Sequence, residues 1–415
     1  MTNKKITNTR RSFLLGLTGF CGANLIHNAQ SSAVKANTLE SYINSVIQNT
    51  QKGTGLTLRQ IAASKGITYG GYTQRSSTEL PNDLSFQKTF AREYSLVVGG
   101  FFGVTVGPFD SNYRYDFRQT DVFYNMATQN NLTFRGHPLI WTEFNSPWLV
   151  EKFKSSSTSR AEIDKIFINH ITTLAKRHAG KVHSWDVVNE AINVDDGRPD
   201  GLKDTTISGV RGEKYNFPTW LNFLGPEYIE RAFRIAAEAD PKAILTYNDN
   251  GIEYSNPYGS SWEEKRRVAL LKLLENLKAK GTPIHALGIQ SHLQGHRNKD
   301  FDENKFRKFL SDVASLGLKI IISELDVMDH ELPQDITTRD RMVADSYYQY
   351  LSVVLDERAV TTVVNWGLSD RYTWLSSFAP RADGAKVRPL LLDENYQRKP
   401  AWKAVAKALS EAPTR

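Results

Sequence analysis

Beyond a helical N-terminal region, short apolar runs alternate with longer amphipathic stretches along the whole chain. The runs fall at 66–73, 95–105, 131–141, 182–191, 243–250, 284–293, 319–327 and 361–369. Their near-continuous hydrophobicity predicts strands buried on both faces, as in a parallel sheet. Between them lie helical periods such as EYIERAFRIAAEAD (227–240) and SWEEKRRVALLKLLENLKAKG (261–281), the second stopping at Gly281. Strand and helix alternating in this way predict an α/β fold, a (β/α)8 TIM barrel. A doubly wound open sheet would alternate too, but no GxGxxG or GxxxxGK[ST] phosphate loop follows an early strand. The stretch from Asn193 to Gly225 is long and rich in Gly, Asp, Pro and aromatics, and its early part reads as an extended loop on the face where strands end.

The chain has 415 residues, 40% hydrophobic and 23% charged, which suits one large domain. Its net charge is +7, but the basic residues are dispersed, which gives no footprint for nucleic acid. Thr9-Arg10-Arg11-Ser12-Phe13-Leu14 followed by the run LLGLTGFCGANLI reads as a twin-arginine export signal, too short to span a bilayer. With cleavage after Ala36, residues 1–36 are the signal and 37–415 a single catalytic barrel, periplasmic or extracellular and without stable membrane association. Cys21 is the only cysteine and lies in the signal, so the mature chain forms no disulfide.

Catalytic side chains of a barrel cluster where its strands end. WDVVNEA places Glu190 at the end of strand four, and KIIIS leads to Glu324 on strand seven. Two carboxyls converging across a barrel mouth suit glycosidic hydrolysis. One protonates the leaving oxygen and later deprotonates water, and the other bonds to the anomeric carbon. Glu190 is the expected acid/base and Glu324 the expected nucleophile. Retention asks for carboxyls about 5–5.5 Å apart. His292 ends strand six, with Gln290 two residues earlier, and Asp326 follows Glu324 by two; an Asp326–His292–Glu324 chain would orient the nucleophile and tune its protonation. His137, Trp141, Trp366 and Trp374 stand at strand exits, where indole faces suit the C–H face of a pyranose. His183 and His285 open their strands, away from His292, and no HxH or HExxH spacing supports a metal, nor a GxSxG elbow a serine nucleophile.

WDVVNEA, RGHPLIW, GIQSHL, ISELDV, WGLSDRYTWL and PLLLDENYQRKPAW, in this order between Gly66 and Trp402, resemble glycoside hydrolase family 10, the retaining endo-β-1,4-xylanases. The resemblance implies Glu190 as acid/base and Glu324 as nucleophile. It implies substrate contacts from His137, Trp141, Asn189, Gln290, His292, Trp366 and Trp374, with polysaccharide as substrate and no cofactor. The chain departs from the family's pattern at three places. Gly99, Gly100 and Gly103 stand where a TPENEMKW-like segment supplies polar contacts to the non-reducing side of the substrate. Those glycines are expected to open space for a branched or differently linked sugar. Asn250 replaces a tyrosine after Asp249, and Thr142 a histidine. The expected activity is therefore endo-β-1,4-xylanase, with two alternatives: a retaining hydrolase of another β-linked polysaccharide, such as a bacterial exopolysaccharide, and a non-catalytic glycan-binding barrel.

Overall fold

Eight strands form where the apolar runs were read: β1 (Thr68–Tyr72), β2 (Leu96–Gly99), β3 (Thr133–Gly136), β4 (Val182–Asn189), β5 (Ile244–Asp249), β6 (Ala286–Ile289), β7 (Lys319–Met328) and β8 (Val360–Asn365). Each pairs in parallel with the next, and β8 pairs with β1, for example Tyr69 opposite Val363, so the sheet closes on itself. The principal helix after each strand is α1 (Leu84–Glu93), α2 (Arg118–Gln129), α3 (Arg160–Arg177), α4 (Tyr228–Ala239), α5 (Trp262–Ala279), α6 (Glu303–Ser315), α7 (Ile336–Val354) and α8 (Pro400–Glu411). The molecule is a (β/α)8 barrel. The computed structural model describes residues 55–73, 83–100, 102–204, 206–207, 214–215, 217–255 and 261–415. The export signal read at 1–36, with Cys21, lies outside the described residues. Internal packing divides the chain after Leu56, and the unit holding the barrel is Thr57–Arg415.

Helix starts are set locally. Asp83, Ser159, Ser261, Asp302 and Asp335 each accept a backbone N–H of the first turn of α1, α3, α5, α6 and α7. Ser261 and Glu264 close a reciprocal capping box. Along β4 the pleat sends Trp185 outward, against Phe102 and with its indole N–H on Asp240 Oδ2 at 3.1 Å. Ser184 and Asp186 point into the barrel and meet Arg135 from β3. The close packing of Trp185 on β3 requires a glycine at 136, because a Cβ there would lie inside the indole ring. Gly136→Ala is expected to destabilise the barrel by about 1–3 kcal/mol, as overpacking does. Urea unfolding followed by tryptophan fluorescence measures this, and an unchanged midpoint would contradict the packing argument.

Three of the runs are interrupted, each for a local reason. The run at 95–105 leaves the sheet after Gly99, and Phe102–Thr105 is a short helix. The run at 131–141 breaks after Gly136, because Pro138 has no N–H to give the ladder, and resumes only at Ile140–Trp141. The run at 284–293 breaks at Gln290–Ser291, where Ser291 takes φ 63°, before His292–Gln294 pairs with β7. Between β4 and β5 the stretch 193–225 carries a 3-10 turn (Val194–Asp196), an antiparallel pair (Thr206–Ile207 with Lys214–Tyr215) and a helix (Trp220–Leu224). No helix among the described residues is long and apolar enough to cross a membrane.

Candidate active site

Glu190 is the first residue beyond β4, and its backbone turns into the left-handed region at φ 56°. A non-glycine residue there stores strain of order 1–3 kcal/mol. Neighbours on β5 hold it: the Glu190 N–H donates to Asn248 O at 2.9 Å, and the Ala191 N–H to Tyr247 Oη at 3.1 Å. The carboxyl is 8% exposed. Its Oε1 accepts Gln290 Nε2 at 2.7 Å and Asn189 Nδ2 at 3.1 Å, and its Oε2 accepts Trp141 Nε1 at 3.1 Å. Trp141 reaches it because it is the register partner of Asn189. Burial pushes the Glu190 carboxyl above its ordinary range, helped by Glu143 and Asp249, and Lys203 and Gln290 oppose this.

Glu324 lies inside β7, also buried, with its N–H on Gln290 O at 3.0 Å. Its Oε1 accepts Asn248 Nδ2 at 2.8 Å, and its Oε2 is 3.3 Å from His292 Nε2. His292 Nδ1 meets Asp326 Oδ1 at 2.9 Å, since the two are register partners, and Asp326 Oδ2 accepts Trp374 Nε1 at 2.7 Å. The Asp326–His292–Glu324 chain expected from spacing is therefore formed. A second imidazole acts from the other side. His137 Nδ1 is 2.9 Å from Asp186 Oδ2, itself ion-paired with Arg135, and 3.9 Å from Glu324 Oε1. Burial alone would raise the Glu324 carboxyl, but His137, His292 and Asn248 outweigh it and hold it below the usual range. Burial would lower His292, yet Asp326 and then Glu324 drive it well above its ordinary value. His137 is raised against its burial by Glu324 and Asp186.

The two carboxyls are joined by amides. Asn248 Nδ2 donates both to Glu324 and to Asn189 Oδ1 (2.8 Å), and Gln290 Nε2 spans Glu190 and Asn189 Oδ1 (3.4 Å). Ser323 Oγ donates to Asn248 Oδ1 at 2.6 Å, and Gly288 leaves the room that the Asn248 amide occupies. The break at Ser291 lets one strand serve both groups, with Gln290 on Glu190 and His292 on Glu324. Among the described residues no cluster of three or more His, Cys, Asp or Glu is placed to hold a metal. His183 lies at the start of β4 and His285 just before β6, at the far end of the barrel.

Trp366, just past β8, and Trp374 stand beside Glu324 with His292 between them, ring centroids 6.3 Å and 5.1 Å from its imidazole. His137 is buried like Asn189, Gln290 and Glu324 and packs edge-on to Trp366. The glycine segment after β2 corrects an expectation. A Cβ at Gly99 would fall 2.6 Å from the Phe134 ring, one at Gly103 2.6 Å from the Phe144 carbonyl oxygen, and one at Gly100 3.0 Å from the Tyr72 ring. The side-chain space is already filled, and the glycines do not open it. Tyr72 instead stacks flat on Trp366, centroids 3.9 Å apart at 9°.

Sequence reading did not single out Asn248, Asp186, Arg135, Lys203, Glu143 or Tyr72. The available signal was polarity inside apolar strands, as in TFRG, SWDVV and LTYND, since a polar residue buried on the inner face of a strand requires a partner.

A parallel barrel carrying two buried carboxyls at its mouth, one with its pKa pushed above the ordinary carboxylate range and one held below it, has the arrangement of a glycoside hydrolase. The family model for glycosyl hydrolase family 10 matches residues 57–408. Endo-1,4-beta-xylanase B of Thermotoga neapolitana is 30% identical over 356 residues, covering 85% of this chain and 92% of that protein. Endo-1,4-beta-xylanase A of Caldicellulosiruptor sp. (strain Rt8B.4) is 35% identical over 299 residues, 69% of this chain but 39% of that longer protein. The crystal structure of native xylanase 10B from Thermotoga maritima superposes with a TM-score of 0.72 at 28% identity, over 86% of this chain and 98% of that one. The chain belongs to glycosyl hydrolase family 10.

Proposed function

We propose that this chain cleaves internal β-1,4-xylosidic bonds of xylan with retention of configuration. Glu324 attacks the anomeric carbon while the bond to the leaving oxygen breaks and Glu190 gives that oxygen its proton. The glycosyl–Glu324 ester is then opened by water: Glu190, now a carboxylate, takes the water's proton, its oxygen bonds to the anomeric carbon, and Glu324 departs. Both steps run on carboxyls and protons and need no cofactor. The observation that carries this reading is a pair of buried carboxyls bridged by Asn189, Gln290 and Asn248, with Glu190 pushed above the ordinary range by burial and Glu324 held below it by His137 and His292.

The remaining residues have distinct parts. Trp141, Asn189 and Gln290 orient Glu190, and His292 with Asp326 orients Glu324. Trp374, only partly buried, offers an indole face to the sugar, whereas Trp366 is buried with one face stacked on Tyr72 and bears on the site through its edge. His137, held by Asp186, adds its charge beside Glu324. The relatives named endo-1,4-beta-xylanase support xylan, as does a neighbour, xylanase 10B from Thermotoga petrophila in complex with xylobiose (TM-score 0.71, 27% identity). A second reading, another β-linked polysaccharide, is favoured by Gly99, Gly100 and Gly103, which carry no polar side chain to hold a xylose. The twin-arginine sequence at residues 10–11 supports export of the folded enzyme.

Linear xylan, tested beside a panel of plant and bacterial polysaccharides, decides between the readings. The expected result is xylan cleavage whose first product is the β-anomer by proton NMR. Cleavage of another glycan alone would move the substrate to the second reading, and an α-anomer as first product would overturn retention.

A further inference from the structure

The reaction above makes no use of a cation buried beside Glu190. Lys203 is 8% exposed. The chain after Glu190 folds back to place it: the Lys203 N–H donates to Ala191 O at 2.8 Å, and Leu202 bridges Ile192 in antiparallel fashion. Its Nζ pairs with Glu143 Oε1 at 2.7 Å. Glu143 in turn follows by two residues Trp141, whose indole holds Glu190 Oε2. Lys203 and Glu143 thus come together from two different exit segments that also carry the frame of the acid/base, one after β4 and one after β3.

We infer that the Lys203–Glu143 ion pair is a positioning device that sets how readily Glu190 gives up and takes back its proton, an inference that rests on Glu190 being the acid/base. The two half-reactions make opposite demands. Glu190 must be protonated to release the leaving oxygen and ionised to activate water. A buried carboxyl without a neighbouring cation resists ionisation, and a bare lysine beside it would hold it ionised. Pairing the lysine with Glu143 keeps a cation at the site while cancelling much of its field, and it also makes burial of the ammonium tolerable. Electrostatics agree in sign: Lys203 opposes the upward shift of Glu190, Glu143 adds to it, and both carboxylates raise Lys203. The other charges facing Glu190 are Asp249, bound by Arg266 and the Tyr247 hydroxyl, and Glu324 with His137 and His292 across the mouth. Of these, Asp249 also faces Lys203 and adds to its raised value.

The test is a 13C NMR titration of the full chain labelled at glutamate, with the Glu190 signal assigned by its loss in Glu190→Gln. This readout needs no substrate, so it stands even if the polysaccharide is not xylan. Lys203→Met is expected to raise the Glu190 midpoint by about one pH unit, and Glu143→Gln to lower it by about as much. Lys203→Arg, which keeps the charge, should leave it in place. In kcat/KM profiles on an aryl β-xylobioside the basic limb should move in the same opposed directions. A pair that only anchored the loop would give no shift, or the same shift in both variants, and either result overturns the inference. Should Lys203→Met fail to fold, Glu143→Gln and Lys203→Arg still decide it, since a downward shift in the first and none in the second are both required.

Discussion

Glu324→Gln is expected to lower kcat on polysaccharide by on the order of 10⁴–10⁶-fold, the scale seen when a catalytic nucleophile is removed. The substitution keeps the shape of the side chain and an oxygen for Asn248 Nδ2 to donate to, so the barrel should fold and still bind glycan. Two consequences separate this loss from general damage. First, a 2-fluoro glycosyl fluoride should add its sugar mass to the wild-type chain and not to the variant, because the ester forms on Glu324 itself. Second, His292 and His137 lose a carboxylate that raises both. Their imidazole titrations should move down, His292 less far because Asp326 is its main support, whereas Glu324 is the main support of His137. Turnover within tenfold of wild type, or labelling of the variant, would remove Glu324 from the nucleophile's role. Glycan affinity retained in both forms with turnover in neither would favour a binding barrel.

Much of this site was legible because a barrel strand is nearly all apolar, so a polar residue at its end stands out. Glu190, Gln290, His292, Glu324 and Asp326 were readable for that reason, and their convergence followed once eight strands were counted. The links between them were not readable, because they depend on register. Asn248 joins the two carboxyls only because β5 sets it opposite Asn189 and Gly288 leaves its amide room. The Lys203–Glu143 pair joins residues 60 apart on two exit segments whose paths no periodicity specifies. The glycines after β2 misled for a related reason. Absence of a side chain was read as open space, whereas Phe134, Tyr72 and the Phe144 carbonyl fill it from strands and segments distant in sequence. His137 could be placed at a strand exit, but its partner Asp186, which points into the barrel from β4, could not be read from spacing.

Removal of the other carboxyl should give a different kinetic pattern. Glu190→Ala is expected to cut kcat on polysaccharide by about 10²–10⁴-fold, the share that a positioned proton contributes. On an aryl glycoside whose leaving group departs without protonation, glycosylation should be nearly intact and the slow step should become hydrolysis of the ester. Azide, a nucleophile that needs no base, should then restore turnover and give the β-glycosyl azide. The pH profile should change too. In the wild type, falling pH protonates Glu324, which is held below the usual range, and rising pH deprotonates Glu190, which is held above it, so activity lies between the two. Glu190→Ala removes the second group, and the basic limb of kcat/KM should vanish while the acidic limb stays. Trp141 Nε1 and Gln290 Nε2 would both lose the Glu190 carboxyl, Gln290 keeping Asn189 Oδ1, and the space left beside them is where azide must enter. Equal losses on activated and unactivated substrates, with no azide effect, would mean that Glu190 holds the site together rather than moving a proton.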